Sequence, residues 1–210
     1  ARLQPLMAAL HLCLEAVLAR APDDARVVCV GAGTGAELLR LAAARPGWRF
    51  TAVDPAPAML ARCRQRAEAA GVAARCRFHV GTLDTLPPGE PFDVATAILV
   101  SHFLVDTTVR REFFTEIARR LRPGGLLASC DLATELATPT FDRLYEAWET
   151  ALTRAEFPVS RAAFGTGIGM LSPRELERLI ASSGFDAPTP FFQAFFMHAW
   201  VSRRSSVDER

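Results

Sequence analysis

The stretch RVVCVGAGTGAE, residues 26–37, decides the fold of this chain. It begins with an apolar run, Val27 to Val30, that is typical of a strand buried on both faces of a sheet. Glycines then occupy alternate positions, and apolar residues at helical spacing follow from Glu37. A strand, a glycine turn and a helix predict a nucleotide-binding corner, because glycine lets a ligand approach the backbone and the free amides at a helix start face that ligand.

The glycine pattern by itself leaves the ligand open. Residues 31–36, GAGTGA, also satisfy the dinucleotide fingerprint G-x-G-x-x-G/A. Asp54 lies at about the spacing expected of the acid that binds the ribose in such sites. A tight glycine turn that binds no ligand is a third interpretation. The rest of the chain decides among the three.

Composition limits the class of protein. At 210 residues the chain suits one domain, or one domain with an elaborated cap. Half of the residues are hydrophobic, the formal net charge is +1, and no segment is strongly basic, so charge argues neither for nor against nucleic acid. The absence of lysine and the abundance of alanine indicate a GC-rich, bacterial genome. Because the chain starts at Ala1 without a methionine, we also expect an upstream segment.

The cysteines indicate the cellular compartment. There are five, without a C-x-x-C pair, which suits neither a disulfide framework nor a structural zinc site, so no metal is expected. Free cysteines favour the reducing cytoplasm. No apolar run has the length of a transmembrane helix, and no membrane partner is expected.

Strand and helix patterns alternate strictly as far as residue 132, after an amphipathic helix within residues 1–24. This alternation predicts a parallel, doubly wound sheet whose second strand ends at Asp54. Arginines within Arg110–Arg122 are interpreted as a solvated helix face. The predicted strands cover residues 26–30, 50–53, 76–80, 92–99 and 126–130.

The rhythm breaks after residue 132. Residues 133–171 predict a helical insertion, and Ser172 with Glu175 forms a capping box that starts the last helix. Phe191 to Val201 predicts two strands joined by a turn near Gln193 and Ala194. We interpret residues 1–210 as a single domain, divided into 1–24, a core at 25–132, the insertion at 133–171 and a closing part at 172–204.

These motifs resemble the class I S-adenosylmethionine-dependent methyltransferases from about Ala25 to Arg203. The matching segments are VVCVGAGTG, Asp54, GTLDTLP, FDVATAILVSHFL, LRPGG and SGF. LRPGG and the closing strand pair do not belong to a dinucleotide-binding half, so the resemblance favours a methyltransferase over an NAD enzyme. It implies a Rossmann-like, mostly parallel seven-stranded sheet with a helical insertion after the fifth strand.

The resemblance implies S-adenosylmethionine as the cofactor, with its methionine part on the glycine turn and its ribose hydroxyls on Asp54. Many family members carry an acid where this chain has Cys29; either Glu37 compensates, or the backbone alone holds the methionine end. Met59 could pack on the adenine or be a core residue. The residues expected to contact the cofactor are Gly31, Ala32, Gly33, Thr34, Gly35, Asp54, Pro55, Met59, Thr82, Leu83 and Leu99.

The acceptor site is predicted beyond the fourth strand. His102 stands where the methyl group would be presented, and an imidazole can take a proton near neutral pH; the alternative is that it only lines the cleft. Phe103 and the insertion aromatics Tyr145, Trp148, Phe157 and Phe164 are expected to contact the acceptor. The alternative for the insertion aromatics is that they pack the insertion onto the sheet.

The function that this resemblance implies is methyl transfer to a small or medium-sized acceptor of partly aromatic or apolar character. Two alternatives stay open: a tRNA- or RNA-modifying enzyme, and a catalytically silent binding protein that keeps the cofactor fold. The sequence leaves the oligomeric state undetermined.

Overall fold

The computed structural model describes residues 4–136, 138–154 and 161–206, so Phe157 lies outside the described residues. The helices are Gln4–Val17 (α1), Ala36–Ala44 (α2), Pro57–Ala69 (α3), Thr107–Arg120 (α4), Pro139–Arg154 (α5) and Pro173–Ala181 (α6). The strands are Arg26–Val30 (β1), Arg49–Asp54 (β2), Cys76–Val80 (β3), Phe92–Ile98 (β4), Leu121–Leu132 (β5), Thr189–Ala194 (β6) and Met197–Arg203 (β7).

The strands form one seven-stranded sheet in the order β3-β2-β1-β4-β5-β7-β6. Strands β1 to β5 pair in parallel, and β7 runs antiparallel to both β5 and β6. The predicted mostly parallel, doubly wound sheet is confirmed. The strand order reverses between β1 and β4, and open α/β sheets bind ligands in the crevice at such a switch point.

Helices cover both faces of the sheet because alternate strand residues point to opposite sides. On one face, Val27 and Phe50 pack with residues of α1, α2 and α3, including Leu14, Leu41 and Leu60. On the other face, neighbouring strand residues pack with α4 and α6; this group includes Val28, Val53, Phe114, Ile117, Leu176 and Ile180. The two apolar layers fix the carboxyl ends of β1, β2, β4 and β5 along one edge of the sheet.

The predicted helical insertion after the fifth strand is present, since α5 follows β5. Its apolar stripe joins the end of the sheet in a third buried cluster with Phe196 and Met197 of the closing hairpin. None of the described helices is long and apolar enough to cross a membrane.

Two strand predictions were wrong in detail. The turn of the closing hairpin lies at Phe195 and Phe196, not at Gln193 and Ala194, and Phe195 adopts a left-handed backbone with φ 53°. Aromatic residues are unusual at such a position, so the sequence pattern gave no signal there. Strand β5 begins at Leu121, the first residue of LRPGG, and therefore contains the predicted turn; its pairing with β4 shifts register between Phe92 and Val94.

The capping box of α6 gives a prediction about stability. Ser172 Oγ accepts a hydrogen bond from Glu175 N at 3.3 Å, and Ser172 N donates to Glu175 Oε2 at 2.8 Å. Ser172→Ala should lower the free energy of unfolding by about 1 kcal/mol, because it leaves an amide of the first turn unpaired. Urea unfolding measures this, with Ser182→Ala at the other end of α6 as control; equal effects of the two changes would contradict the prediction.

Candidate active site

The glycine turn is tied to the end of β2 by backbone hydrogen bonds. Gly31 N and Ala32 N both donate to Val53 O, at 2.9 and 3.1 Å. One residue further on, Gly33 N donates to Asp54 Oδ2 at 2.7 Å. The glycine turn and the predicted ribose-binding acid therefore form one rigid unit at the carboxyl edge of the sheet.

The three glycines of the turn have different reasons to be glycine. All have positive φ, at 68°, 52° and 75° for Gly31, Gly33 and Gly35. A Cβ at Gly31 would lie 2.3 Å from Val100 Cγ2, and one at Gly35 would lie 2.4 Å from Cys63 Sγ. A Cβ at Gly33 would meet only the tip of Met59, at 3.9 Å. Gly31 and Gly35 are thus required by packing, whereas Gly33 faces open space that a ligand can fill.

Asp54 has the capacity to bind two hydroxyl groups. Its side chain is 8% exposed, and each carboxylate oxygen accepts one backbone amide, Oδ1 from Ala56 N at 2.8 Å and Oδ2 from Gly33 N. A carboxylate offers about four acceptor positions, so two stay available for ribose hydroxyls. The open face of Gly33 and the remaining acceptor capacity of Asp54 fit an adenosine-bearing cofactor.

The other predicted cofactor residues surround this unit with unequal exposure. Pro55 and Thr82 are exposed, and Met59 is 45% exposed beside Gly33, which argues against a core position. Thr34 is held from α3, because Arg66 Nη1 donates to its carbonyl and its hydroxyl. Leu83 is 4% exposed and packs in the core. The assignment of each residue to the cofactor stays a prediction.

Glu37 is a buried acid in the first turn of α2. It is 7% exposed, and burial is the largest cause that raises the pKa of its carboxyl from 4.5 to about 7. The carboxylate of Asp54 adds to the rise, while a hydrogen bond to the Glu37 backbone and the charge of Arg66 oppose it. The structure therefore places an acid beside Asp54 although Cys29 replaces the usual one. Whether Glu37 contacts the cofactor stays a prediction.

The backbone bends sharply where β4 ends. Leu99 has φ 58°, a left-handed conformation that is rare for a branched side chain, and its amide donates to Cys130 O at 2.7 Å. Such strain persists only where the surrounding structure imposes it, and it is concentrated at functional sites. The bend sends Val100 against Gly31 and starts the short 3-10 turn Ser101–Phe103 beside β5.

His102 lies in this turn and faces a carboxylate that sequence reasoning missed. Its Nδ1 lies 3.1 Å from Asp131 Oδ1, and its backbone amide donates to the same oxygen at 3.0 Å. Ser101 Oγ donates to Asp131 Oδ2 at 2.6 Å. Because an ionised carboxylate only accepts hydrogen bonds, this contact selects the neutral tautomer of His102 that has its proton on Nδ1 and its lone pair on Nε2. No described residue hydrogen-bonds Nε2 of His102.

Arg110 of α4 completes this buried network. The interpretation of Arg110–Arg122 as a solvated face is wrong for Arg110, which is 1% exposed. Its Nε donates to Ser101 Oγ at 2.8 Å, and its Nη1 donates to Gly169 O of the insertion at 3.0 Å. One arginine thus points inward between the sheet and the insertion.

The predicted acceptor residues occupy two different environments. Phe103 is 62% exposed, with its ring centroid 4.4 Å from that of His102. Tyr145, Trp148 and Phe164 are at most 7% exposed and pack in one cluster with Phe196. This packing fits the alternative interpretation, in which the three side chains hold the insertion on the sheet. Their role in acceptor binding stays a prediction.

Sequence signals for the missed residues were unequal. Asp131 follows an apolar run at the end of a strand, as Asp54 does, and that shared pattern could have identified it. Ser101 and Arg110 carry no such signal, since both depend on contacts across 30 and 59 positions of sequence.

The cysteines form no disulfide. All five are free thiols, and burial raises the pKa of Cys29, Cys63, Cys76 and Cys130. In the described parts of the chain, no three His, Cys, Asp or Glu side chains are grouped so that they could hold a metal ion.

Comparison with known proteins finds similarity to methyltransferases. A sequence model described as a methyltransferase domain matches residues 27–125. The ubiquinone biosynthesis O-methyltransferase of Methylocella silvestris is 32% identical over 160 residues, covering 74% of this chain and 57% of that protein. The ubiquinone/menaquinone biosynthesis C-methyltransferase UbiE of Cereibacter sphaeroides is 32% identical over 122 residues, covering 58% of this chain and 47% of that protein.

A solved structure extends the likeness to the closing hairpin. The structure of an O-methyltransferase family protein from Burkholderia thailandensis matches with a TM-score of 0.71 at 19% identity, covering 98% of this chain and 57% of that one. The chain therefore spans at most 57% of the length of these three proteins.

The parallel sheet closed by an antiparallel β7, together with the glycine turn and Asp54, defines a nucleoside-binding α/β domain of the methyltransferase class. The chain belongs to the class I S-adenosylmethionine-dependent methyltransferase family. The cofactor that this family implies is S-adenosylmethionine. The NAD interpretation of the glycine pattern is not supported.

Gly33 provides a test of where the cofactor lies. Gly33→Ala and Gly71→Ala each put a Cβ on a left-handed residue without a close contact, so each should cost about 1–2 kcal/mol of stability. Only the methyl at residue 33 would enter the proposed ligand space. We expect Gly33→Ala to weaken S-adenosylhomocysteine binding at least about tenfold, because overpacking against the ligand costs more than about 1.4 kcal/mol. Gly71→Ala should leave the affinity unchanged. Calorimetry measures both affinities. Equal affinities would move the cofactor away from the turn.

Glu37 predicts a pH dependence of stability. Its pKa of about 7 in the folded state exceeds the ordinary 4.5, so between these values the folded chain keeps a proton that the unfolded chain releases. Stability is therefore lost as the pH rises through this window. Glu37→Gln should gain about 2 kcal/mol relative to the unmodified chain between pH 5 and pH 8, measured by urea unfolding. The exposed Glu112→Gln serves as control, and parallel pH curves for all three proteins would refute the prediction.

Proposed function

We propose that this chain transfers the methyl group of S-adenosylmethionine to a hydroxyl oxygen of a small aromatic acceptor, with His102 as the general base. The observation that carries this proposal is the contact between His102 and Asp131 at the carboxyl edge of the sheet, one strand away from the glycine turn. A base is needed when the acceptor arrives protonated, as a hydroxyl group does.

The cofactor would be held by the glycine turn and the end of β2. Gly33 leaves room for it, Asp54 accepts its ribose hydroxyls, and Met59 offers a thioether to the adenine ring. When bound, S-adenosylmethionine supplies a sulfonium methyl group that is already activated toward an oxygen nucleophile. Positioning by the protein then contributes much of the acceleration, because the two reactants are held in one geometry.

His102 is prepared to accept one proton. Asp131 fixes Nδ1–H, so the ring cannot rotate or change tautomer without losing that hydrogen bond. The lone pair of Nε2 would take the proton of the acceptor hydroxyl, and bound S-adenosylmethionine would supply the methyl group to that oxygen. The sulfur would keep the electron pair of the broken carbon–sulfur bond, so that S-adenosylhomocysteine leaves. The imidazolium that results is stabilised by the carboxylate of Asp131, 3.1 Å from Nδ1.

The acceptor is proposed from the chemistry around His102. Phe103 exposes an aromatic surface next to the base, and an aromatic ring prefers such a neighbour. The names of two relatives also refer to quinone biosynthesis, one of them to O-methylation. This chain spans only 57% of the O-methyltransferase relative, so the acceptor proposed for this chain rests on the residues around His102.

A small acceptor is favoured over RNA by the arginines of α4. Of the four arginines of α4, Arg110 is buried, Arg119 and Arg120 form ion pairs with Glu116, and Arg111 is exposed, so the helix does not present a free row of cations to phosphates. We further propose a bacterial cytoplasmic enzyme, in keeping with five free thiols and bacterial relatives.

The test is turnover by the His102→Ala variant. With catechol and simple phenols as probe acceptors, the unmodified chain should form S-adenosylhomocysteine, and the variant should be slower by about 10²–10⁴-fold in kcat. Its S-adenosylhomocysteine affinity should not change. The acidic limb of its pH–kcat profile should disappear, because the base that titrates there is gone.

Three results would contradict the proposal. A variant with unchanged kcat would show that His102 only lines the cleft. An equal loss of affinity and rate would place His102 against the cofactor. Tight cofactor binding without turnover on any phenol would exclude this acceptor class and favour a silent binding protein.

A further inference from the structure

We propose that Arg110 is a positioning residue for the base, holding Asp131 in place and joining it to the insertion through Gly169. This inference rests on the proposed function, since it concerns the base assigned there. Arg110 belongs to α4, and its hydrogen bonds go to Ser101 and Gly169, so it acts on the base through other residues.

The contacts of Arg110 reach the base from two directions. Its Nε donates to Ser101 Oγ at 2.8 Å, and Ser101 Oγ in turn donates to Asp131 Oδ2 at 2.6 Å. Its Nη2 lies 3.6 Å from Asp131 Oδ2 and makes no hydrogen bond to any residue that the structure describes, so it contributes charge. Asp131 therefore has a cation on Oδ2 while its Oδ1 holds His102.

The charge balance of this network requires the arginine. Asp131 and Ser101 are 0% exposed and Arg110 is 1% exposed, so water cannot compensate either charge. Burial lowers the pKa of the Arg110 guanidinium and the Asp131 carboxylate opposes that change, as expected for a desolvated ion pair. Buried ion pairs seldom stabilise a fold more than apolar residues of the same volume do. Stability alone therefore does not account for this pair, whereas fixing a carboxylate behind a base does.

The insertion enters the network at Gly169. Arg110 Nη1 donates to Gly169 O at 3.0 Å, and Gly169 N donates to His102 O at 2.7 Å. A Cβ on Gly169 would lie 3.0 Å from Val105 Cα and 3.3 Å from Leu104 O, so the insertion is pressed against the turn that carries His102. The hydrogen bonds around His102 are consequently complete only when the insertion lies against this turn.

Arginine is required here because its donors diverge. The guanidinium reaches Ser101 and Gly169 at the same time with separate nitrogens, which a lysine ammonium on one point cannot do. Arg110→Lys keeps the charge but loses one of the two hydrogen bonds, to Ser101 or to Gly169. Arg110→Met keeps most of the side-chain volume but loses both hydrogen bonds. Arg111, the next residue of α4, is exposed and offers a matched control.

The experiment measures kcat, KM for S-adenosylmethionine and melting temperature for these variants with the same phenol probes. We expect Arg110→Met to lower kcat by about 10–100-fold and to leave KM within about twofold, and Arg110→Lys to recover part of the loss. Arg111→Met should have the unmodified kcat. In a background of His102→Ala, Arg110→Met should cause little further loss of kcat, because it acts through the base that is already absent.

The contact between the insertion and the turn of His102 can be tested with two glycine variants. Gly169→Ala should lower kcat about as much as Arg110→Met, whereas Gly167→Ala, whose Cβ would meet nothing within 4 Å, should not. This pair keeps the inference testable if Arg110→Met does not fold.

The outcomes separate this inference from the proposed function. If His102→Ala keeps the full kcat, the proposed function fails, and this inference fails with it. If His102→Ala is slow but folded Arg110→Met or Gly169→Ala is as fast as the unmodified chain, only the inference fails. It also fails if Arg110→Met slows His102→Ala by the same factor as it slows the unmodified chain, since the arginine would then act independently of the base.

Discussion

The structure of the site depends on the hydrogen bonds that tie the glycine turn to the end of β2. Gly31 N and Ala32 N share the Val53 carbonyl, and Gly33 N uses one acceptor position of Asp54. Such close approach is possible only with left-handed glycines, two of which have no room for a Cβ. The same constraint therefore fixes the entry to α2, holds the predicted ribose-binding acid Asp54 and leaves one glycine open toward the predicted ligand space.

A second constraint operates on the other side of β1, where β4 and β5 end. The left-handed Leu99 redirects the chain so that the turn Ser101–Phe103 lies against Asp131. Strained residues of this kind persist when the surroundings over-determine them, and here the Leu99 amide is fixed by Cys130 O. The two ends of the candidate site are thus held differently. At the glycine turn, backbone amides donate to the carboxylate of Asp54, whereas at the end of β5 a buried network of side chains surrounds Asp131.

This difference explains what sequence could predict. The glycine turn, β1 and Asp54 are local patterns in one segment of about 30 residues, and periodicity identifies them. The contacts of Asp131 span 29 and 30 positions of sequence, and composition cannot tell the buried Arg110 from the exposed arginines of α4. The insertion aromatics Tyr145 and Trp148 have helical spacing whether they pack a core or line a site, so the pattern alone left both possibilities open.

The molecule buries acids at both ends of the site and handles their charge in opposite ways. Glu37 has the cation of Arg66 only as a minor influence, and its burial is relieved by a carboxyl pKa raised to about 7. Asp131 instead accepts three hydrogen bonds and lies 3.6 Å from the guanidinium of Arg110. In the proposed mechanism the carboxylate of Asp131 holds Nδ1–H of His102, whereas Glu37 lies in the first turn of α2 below the glycine turn. A buried guanidinium therefore has a use beside Asp131 in the proposed mechanism that it would not have beside Glu37.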